Sequence, residues 1–242
     1  MKRWWFLTFF VFCFFLMVSV ATAQKKGEGY ITGKMVTTGG EAMSGWRIRF
    51  FDTAGPSPFT HEYWRVPDYI VRSADDGSFS ARLPEGTYYM ETINKVDEKK
   101  FSPPEEGYLI YPPMDAGETK TYRVKAGETT NIGLISGAVP FKKEWAARGK
   151  TGIEGVVLDM QGNPVERVLV FASHTPTMDD PLFVSDRETG TDGKYVLRVP
   201  ERGQYYLSVH LTIMGEKPIA VTVNTGEMTK GVDLRFTRRG TQ

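Results

Sequence analysis

The sequence predicts an all-β protein built as two tandem β-sandwiches behind a cleaved leader. Three observations carry this reading. The chain opens on an apolar run that ends in a peptidase signature. It then writes one turn-and-strand phrase twice, as "DGSFSARLPEGTYYM" (Asp76 to Met90) and "DGKYVLRVPERGQYYL" (Asp192 to Leu207). Between and around these phrases the hydrophobic residues alternate with period two, and neither half contains an amphipathic helical pattern.

The leader is read first. Lys2 and Arg3 form a basic start, an almost unbroken apolar run follows from Trp4 to Val20, and Ala21-Thr22-Ala23 supplies small residues where a signal peptidase needs them. Residues 1–23 are therefore expected to be a signal peptide and not a retained membrane anchor, with no stable membrane insertion after cleavage. Cys13 lies inside the leader and is the sole cysteine, so disulfides and thiolate metal sites are excluded from the mature chain. Export places the protein in the periplasm or outside the cell. Without Lys2 and Arg3 the charge is balanced, at 28 basic against 29 acidic residues. Basic residues adjoin only in pairs, at Lys25-Lys26, Lys99-Lys100, Lys142-Lys143 and Arg238-Arg239, and form no polybasic run. Nucleic-acid binding is disfavoured, because neutralising phosphates needs clustered cations.

The repeat extends beyond the two phrases. Ile31-x-Gly33 and Gly40 match Ile153-x-Gly155 and Gly162, Trp46-Arg47-Ile48 matches Val168-Leu169-Val170, and Val124 to Glu128 matches Val223 to Glu227. A period this long means a duplicated domain and not a solenoid. In the second copy Tyr195, Leu197 and Val199 alternate with polar neighbours, as do Ile219, Val221 and Val223, and Val232, Leu234 and Phe236. The first copy does the same with Phe79, Ala81 and Leu83, and with Trp46, Ile48 and Phe50. Such strands put one face on a core and the other in water. Asp-Gly supplies a positive φ for a hairpin turn. Pro84 and Pro200 end a strand, and the Gly-x-Tyr that follows begins the next with an inward aromatic. The boundaries are expected at 24–136 for the first sandwich, 137–151 for a linker and 152–242 for the second. Each is expected to fold alone.

Taken together, Gly-x-Val…Gly-x-Pro-x-x-x-Val, Asp-Gly-x-Tyr-x-x-x-Val-Pro-x-x-Gly-x-Tyr and Val-x-x-Gly-Glu…Val-x-Leu resemble the carboxypeptidase regulatory-like domain. Gly152 to Phe236 matches closely. Gly29 to about Ser136 matches with two expansions, and Gly45 breaks its strand signature. The resemblance implies a transthyretin-like, Ig-like Greek-key sandwich that spaces, stabilises or docks other modules, without catalysis and without a cofactor.

Chemistry-bearing residues are sparse. His61, His174 and His210 lack metal-ligand spacing. Val157-Leu158-Asp159 and Gly162-Asn163-Pro164 resemble the opening of a 5-hydroxyisourate hydrolase on the transthyretin fold, and Arg239-Gly240-Thr241 its ending. Val156 stands where that enzyme needs a catalytic histidine, so the general base is missing. Asp179, Asp180, Asp186 and Glu188 lie in the acidic stretch 173–190 without a calcium-loop pattern. What differs between the copies is more informative. Between Gly40 and Gly77 the first copy has 37 positions against 31 in the second, and between Tyr89 and Gly127 it has 38 against 20. The added residues read "PSPFTHEYWRVPDYI" and "FSPPEEGYLIYPPM". Large aromatics among prolines on loops mark binding surfaces or an extension of the core. Phe59, Tyr63, Trp64, Tyr69, Tyr108 and Tyr111 are the candidates for contact with an envelope or extracellular protein, or with a polysaccharide through ring stacking. Mass spectrometry of the native protein is expected to find Gln24 at or near the N-terminus; an intact Met1 would overturn the leader assignment.

Overall fold

The computed structural model describes residues 27–94, 102–112, 119–178, 183–209 and 217–237. The leader, Phe101, Asp179, Asp180, His210 and Arg238 to Thr241 therefore lie outside the described residues. The chain is all-β, as expected. In chain order the strands are β1 (Glu28–Met35), β2 (Arg47–Asp52), β3 (Trp64–Arg65), β4 (Tyr69–Arg72), β5 (Ser78–Pro84), β6 (Gly86–Asn94), β7 (Leu109–Tyr111), β8 (Thr121–Val124), β9 (Thr129–Ile135) and β10 (Val139–Pro140). After a 3-10 turn at Lys143–Trp145 come β11 (Gly152–Leu158), β12 (Phe171–Ser173), β13 (Phe183–Val184), β14 (Lys194–Arg198), β15 (Gly203–Ser208), β16 (Ile219–Val223), β17 (Met228–Thr229) and β18 (Leu234–Arg235).

The strands form two pairs of facing sheets. In the first pair, β5-β1-β9 faces β10-β7-β6-β2-β4, with β8 also paired to β6. In the second, β14-β11-β17, with β18 also on β11, faces β16-β15-β12-β13. The alternation read from the sequence assigns the inward side correctly. Ile31, Ile48, Phe50, Ala81, Leu83, Tyr88 and Val124 meet in the first core, and Ile153, Val157, Ala172, Leu197, Tyr205, Leu207 and Val223 in the second.

The repeated words have local causes. Gly77 and Gly193 hold φ of 82° and 68°. A Cβ would stand 2.3 Å from the Met35 carbonyl oxygen at the first and 2.7 Å from the Val157 oxygen at the second. Both positive φ and close backbone approach thus require glycine. The preceding aspartates close the turn: Asp76 Oδ1 accepts the Ser78 N–H at 2.9 Å, and Asp192 Oδ1 accepts the Lys194 N–H at 3.2 Å. Hydrogen bonds to the charged carboxylates hold both below the usual aspartate range. The turn departs from expectation in one respect. β4 and β5 belong to opposite sheets, as do β13 and β14. The Asp-Gly turn therefore carries the chain from one layer to the other and is not a hairpin within a sheet.

The Gly-x-Tyr word that follows does more than bury a ring. The Tyr88 hydroxyl donates to the Pro84 carbonyl at 2.9 Å, and the Tyr205 hydroxyl donates to the Glu201 carbonyl at 3.1 Å. Both bonds reach back four residues and tie the strand entry to the corner before it, the geometry of a tyrosine corner. Both rings are fully buried, and burial raises both phenols, Tyr205 to about 12.

One expectation fails at the outer face of the first large sheet. Period two on β2 predicts Arg47 and Arg49 in water, yet they are 9% and 3% exposed. Arg49 pairs with Glu91 at 3.1 Å, and its Nη2 donates to the Ser102 carbonyl at 3.4 Å. Burial pushes the Glu91 carboxyl up against the pull of Arg49. The reason is that this face is covered: Ser102, Pro103 and Pro104 are buried over it. Replacing Tyr205 with Phe removes the corner hydrogen bond and keeps the ring. Chemical denaturation is expected to show a loss of about 1 kcal/mol, against about 3–5 kcal/mol for Tyr205→Ala.

Candidate functional site

The aromatic insertion between β2 and β4 holds the residues singled out by their chemistry, and it crosses to the other half of the molecule. Trp64–Arg65 forms β3, which pairs antiparallel with β13: Arg65 stands opposite Phe183 and Trp64 opposite Val184. The second large sheet is therefore completed by a strand from the first half. This is strand addition to an exposed sheet edge, made within one chain.

Consecutive residues on an extended segment point to opposite faces. Tyr63 enters the second core, edge-on to Phe183 with ring centroids 5.4 Å apart, and its hydroxyl donates to the Ser57 carbonyl at 3.0 Å. Burial pushes this phenol up to about 12. Trp64 faces the other way, into a third core. Ile93 and Ile110 from the first half, Leu169, Phe171 and Val184 from the second, and Phe141, Trp145 and Ala147 from the connecting segment all meet there. Trp64 packs on Phe141 at 6.0 Å, and Phe141 on Trp145 at 6.0 Å.

Arg65 anchors the insertion to its own half. Its Nη1 donates to the carbonyls of Asp52 (2.9 Å) and Pro56 (2.7 Å), and its Nη2 pairs with Asp68 at 2.8 Å. The guanidinium lies over the Phe51 ring at 5.5 Å. The loop before β3 is tied to the connecting segment: Arg148 N–H donates to the His61 carbonyl at 2.7 Å and Gly149 N–H to the Glu62 carbonyl at 3.1 Å. Gly149 in turn accepts a close hydrogen bond from Arg198 on β14. Arg198 also pairs with Asp186 at 3.0 Å. Burial raises the Asp186 carboxyl to about 6 despite that partner.

The six aromatic candidates therefore do not share one surface. Tyr63 and Trp64, at 6% exposure each, are corrected from binding-loop candidates to core residues. The physical reason is that the edge of β13 and the outer faces of both large sheets offer them more apolar contact than solvent would. Phe59 is half-buried, edge-on to Tyr89 at 6.1 Å. Tyr108 is half-buried against the third core and Tyr111 against the first. Tyr69 is exposed on β4, followed by Ile70 at 47% exposure, which the sequence reading did not single out.

Of the other candidates, His61 is half-buried with Nδ1 3.3 Å from the Trp145 carbonyl, and His174 lies on the surface with its ring 4.7 Å from Tyr205. Among the described residues no group of three His, Cys, Asp or Glu side chains is placed to hold a metal. No described helix is long and apolar enough to cross a membrane.

No protein-family profile matches the chain, and no curated protein matches it. Solved structures similar to it include the TIE protein of Bacillus anthracis, at 13% identity and a TM-score of 0.28 over 86% of this chain and 34% of that one. A streptococcal ancillary pilin is 12% identical, with a TM-score of 0.26 over 90% of this chain and 64% of that one. The shaft pilin SpaA of Lactobacillus rhamnosus GG is 10% identical, with a TM-score of 0.27 over 89% of this chain and all of that one. The chain thus spans about a third of the first protein and just under two thirds of the second. Superpositions this loose carry no argument about function.

The loop before β3 together with β3 itself, residues 57–65, forms a clasp between the two halves. Trp64→Ala is expected to cost about 3–5 kcal/mol of stability in denaturant unfolding, the range for a buried large aromatic. The fragment 150–242, which lacks Tyr63 and β3, is expected to melt well below the full chain; equal melting temperatures would show that the clasp contributes nothing.

Proposed function

We propose that the chain is a non-catalytic, exported assembly module that acts as a stiff spacer and docks a protein partner of the cell envelope. In this reading two transthyretin-like sandwiches, 24–136 and 152–242, follow a signal peptide and are joined through 137–151, as in the carboxypeptidase regulatory-like family. The observation that carries it is the third core. Two sandwiches that merely shared a tether would reorient freely. Here the connecting segment supplies Phe141, Trp145 and Ala147 to an apolar cluster that both halves line, and β3 is hydrogen-bonded into the far sheet. A molecule arranged in this way transmits position from one end to the other.

The partner contact is best placed on β4. It is an edge strand of the first large sheet, and it carries two exposed apolar side chains on its opposite faces, Tyr69 at 36% and Ile70 at 47% exposure. An edge strand with exposed apolar side chains is a template for association. Ring stacking on a polysaccharide is less well supported, because it requires several coplanar exposed aromatics and Tyr69 alone of the six candidates is exposed.

A photo-crosslinking side chain at position 70, in protein expressed in its native envelope, is expected to yield one discrete protein adduct. The same group at Leu134, which is 70% exposed on the opposite sheet, is expected to yield none. Equal labelling at both positions, or none at either, would remove β4 as the docking strand.

A further inference from the structure

A crevice of about 520 Å³ opens along the seam where the clasp meets the second half. Its walls come from three places. His61 and Glu62 belong to the loop before β3, Arg148 and Lys150 to the connecting segment, and Pro200 and Thr225 to two turns of the second half. Its volume is in the range of small-ligand sites. We propose that it binds a small ligand carrying both a carboxylate and hydroxyl groups, an acidic sugar of the hexuronate type.

The charge argument comes first. Arg148 and Lys150 are exposed. Among the described residues neither side chain holds an ion pair or a hydrogen bond, unlike Arg198 beside them, which is engaged by Asp186 and Gly149. Two unengaged cations two residues apart line one concave surface, and Glu62 is the single carboxylate among the lining residues. An anion seated there gains from both cations, and Arg148 can accept a carboxylate in two-pronged fashion.

The second argument concerns hydroxyls. A carbonyl oxygen only accepts, so at the 3.3 Å contact His61 Nδ1 is the donor to Trp145. With Nδ1 committed to that carbonyl, Nε2 is the ring nitrogen left to meet a ligand, and in its unprotonated form it accepts from a hydroxyl. Thr225, also in the lining, adds a hydroxyl that can donate or accept. Cationic and accepting groups together select a hydroxylated acid over a simple inorganic anion. The ligand would touch the clasp loop, the connecting segment and the second half at once, so occupancy would raise the melting temperature by linkage. This inference is independent of the assembly reading, since it uses neither β4 nor a protein partner.

The test is thermal unfolding and calorimetric titration of the full mature chain with sodium glucuronate at low ionic strength. Glucose, sodium acetate and ionic-strength-matched NaCl serve as comparisons. Glucuronate is expected to bind saturably in the millimolar range and to raise the melting temperature, with glucose and acetate at least several-fold weaker. Arg148→Ala with Lys150→Ala is expected to weaken glucuronate binding at least tenfold with the unliganded melting temperature unchanged. Glu62→Gln, which removes the opposing charge, is expected to tighten it two- to threefold. A response to acetate or NaCl equal to that of glucuronate, no saturable response at all, or unaltered binding in the double variant would each overturn the proposal.

Discussion

Everything in this molecule leans on the opposite orientation of two neighbouring side chains. Tyr63 and Trp64 are consecutive on an extended segment, so one must point up and the other down. The segment lies at the edge of β13, where "up" is the interior of the second sandwich and "down" is the space between the halves. No helix or turn would send two adjacent bulky rings into two different cores. The hydrogen bonds of β3 are few, but they fix the register that puts each ring into its pocket. Arg65, next in line, ties the same strand back to Asp52, Pro56 and Asp68 in the first half.

That arrangement explains why both large sheets are buried on both faces near the seam. A sheet in a two-layer sandwich ordinarily shows water its outer side. Here Ile93 and Ile110 on one outer face meet Leu169, Phe171 and Val184 on the other, and Phe141 and Trp145 fill the gap. Covering the outer face has an electrostatic consequence. Arg49 and Glu91, which alternation would leave in water, are enclosed together. Such a pair contributes little net stability after desolvation, but removing one partner strands the other. It commits the covering residues 102–104 to one arrangement.

The two halves thus divide their work between shared and unshared features. The shared features, the Asp-Gly crossover and the tyrosine corner, build a sandwich wherever they occur. The unshared insertions build what a single sandwich lacks, a packed and hydrogen-bonded contact with its neighbour. The seam they create also has a surface of its own, where unengaged cations from the connecting segment stand beside the clasp loop.

Alternation, turn words and the internal repeat are local properties, which is why the all-β class and the inward residues of β5 and β14 were legible from the chain alone; on β16 Val221 and Val223 are buried as expected, but Ile219, read with them, is 38% exposed. A tyrosine four residues past a proline or glutamate in a Gly-x-Tyr word is likewise a local geometry, and its corner bond could have been read from "PEGTYY" and "PERGQYY". The destination of the aromatic insertion was not legible. Whether Trp64 meets water or Phe141 depends on where a distant sheet edge lies, and no spacing within "HEYWRVP" encodes the position of Phe183 more than a hundred residues away. The same holds for Arg49, whose burial depends on a loop some fifty residues later folding over it. Sequence settled which residues alternate and where the chain turns; only tertiary structure decided that a surface-like loop of rings is the joint between two cores, because burial is set by what arrives from elsewhere in the chain.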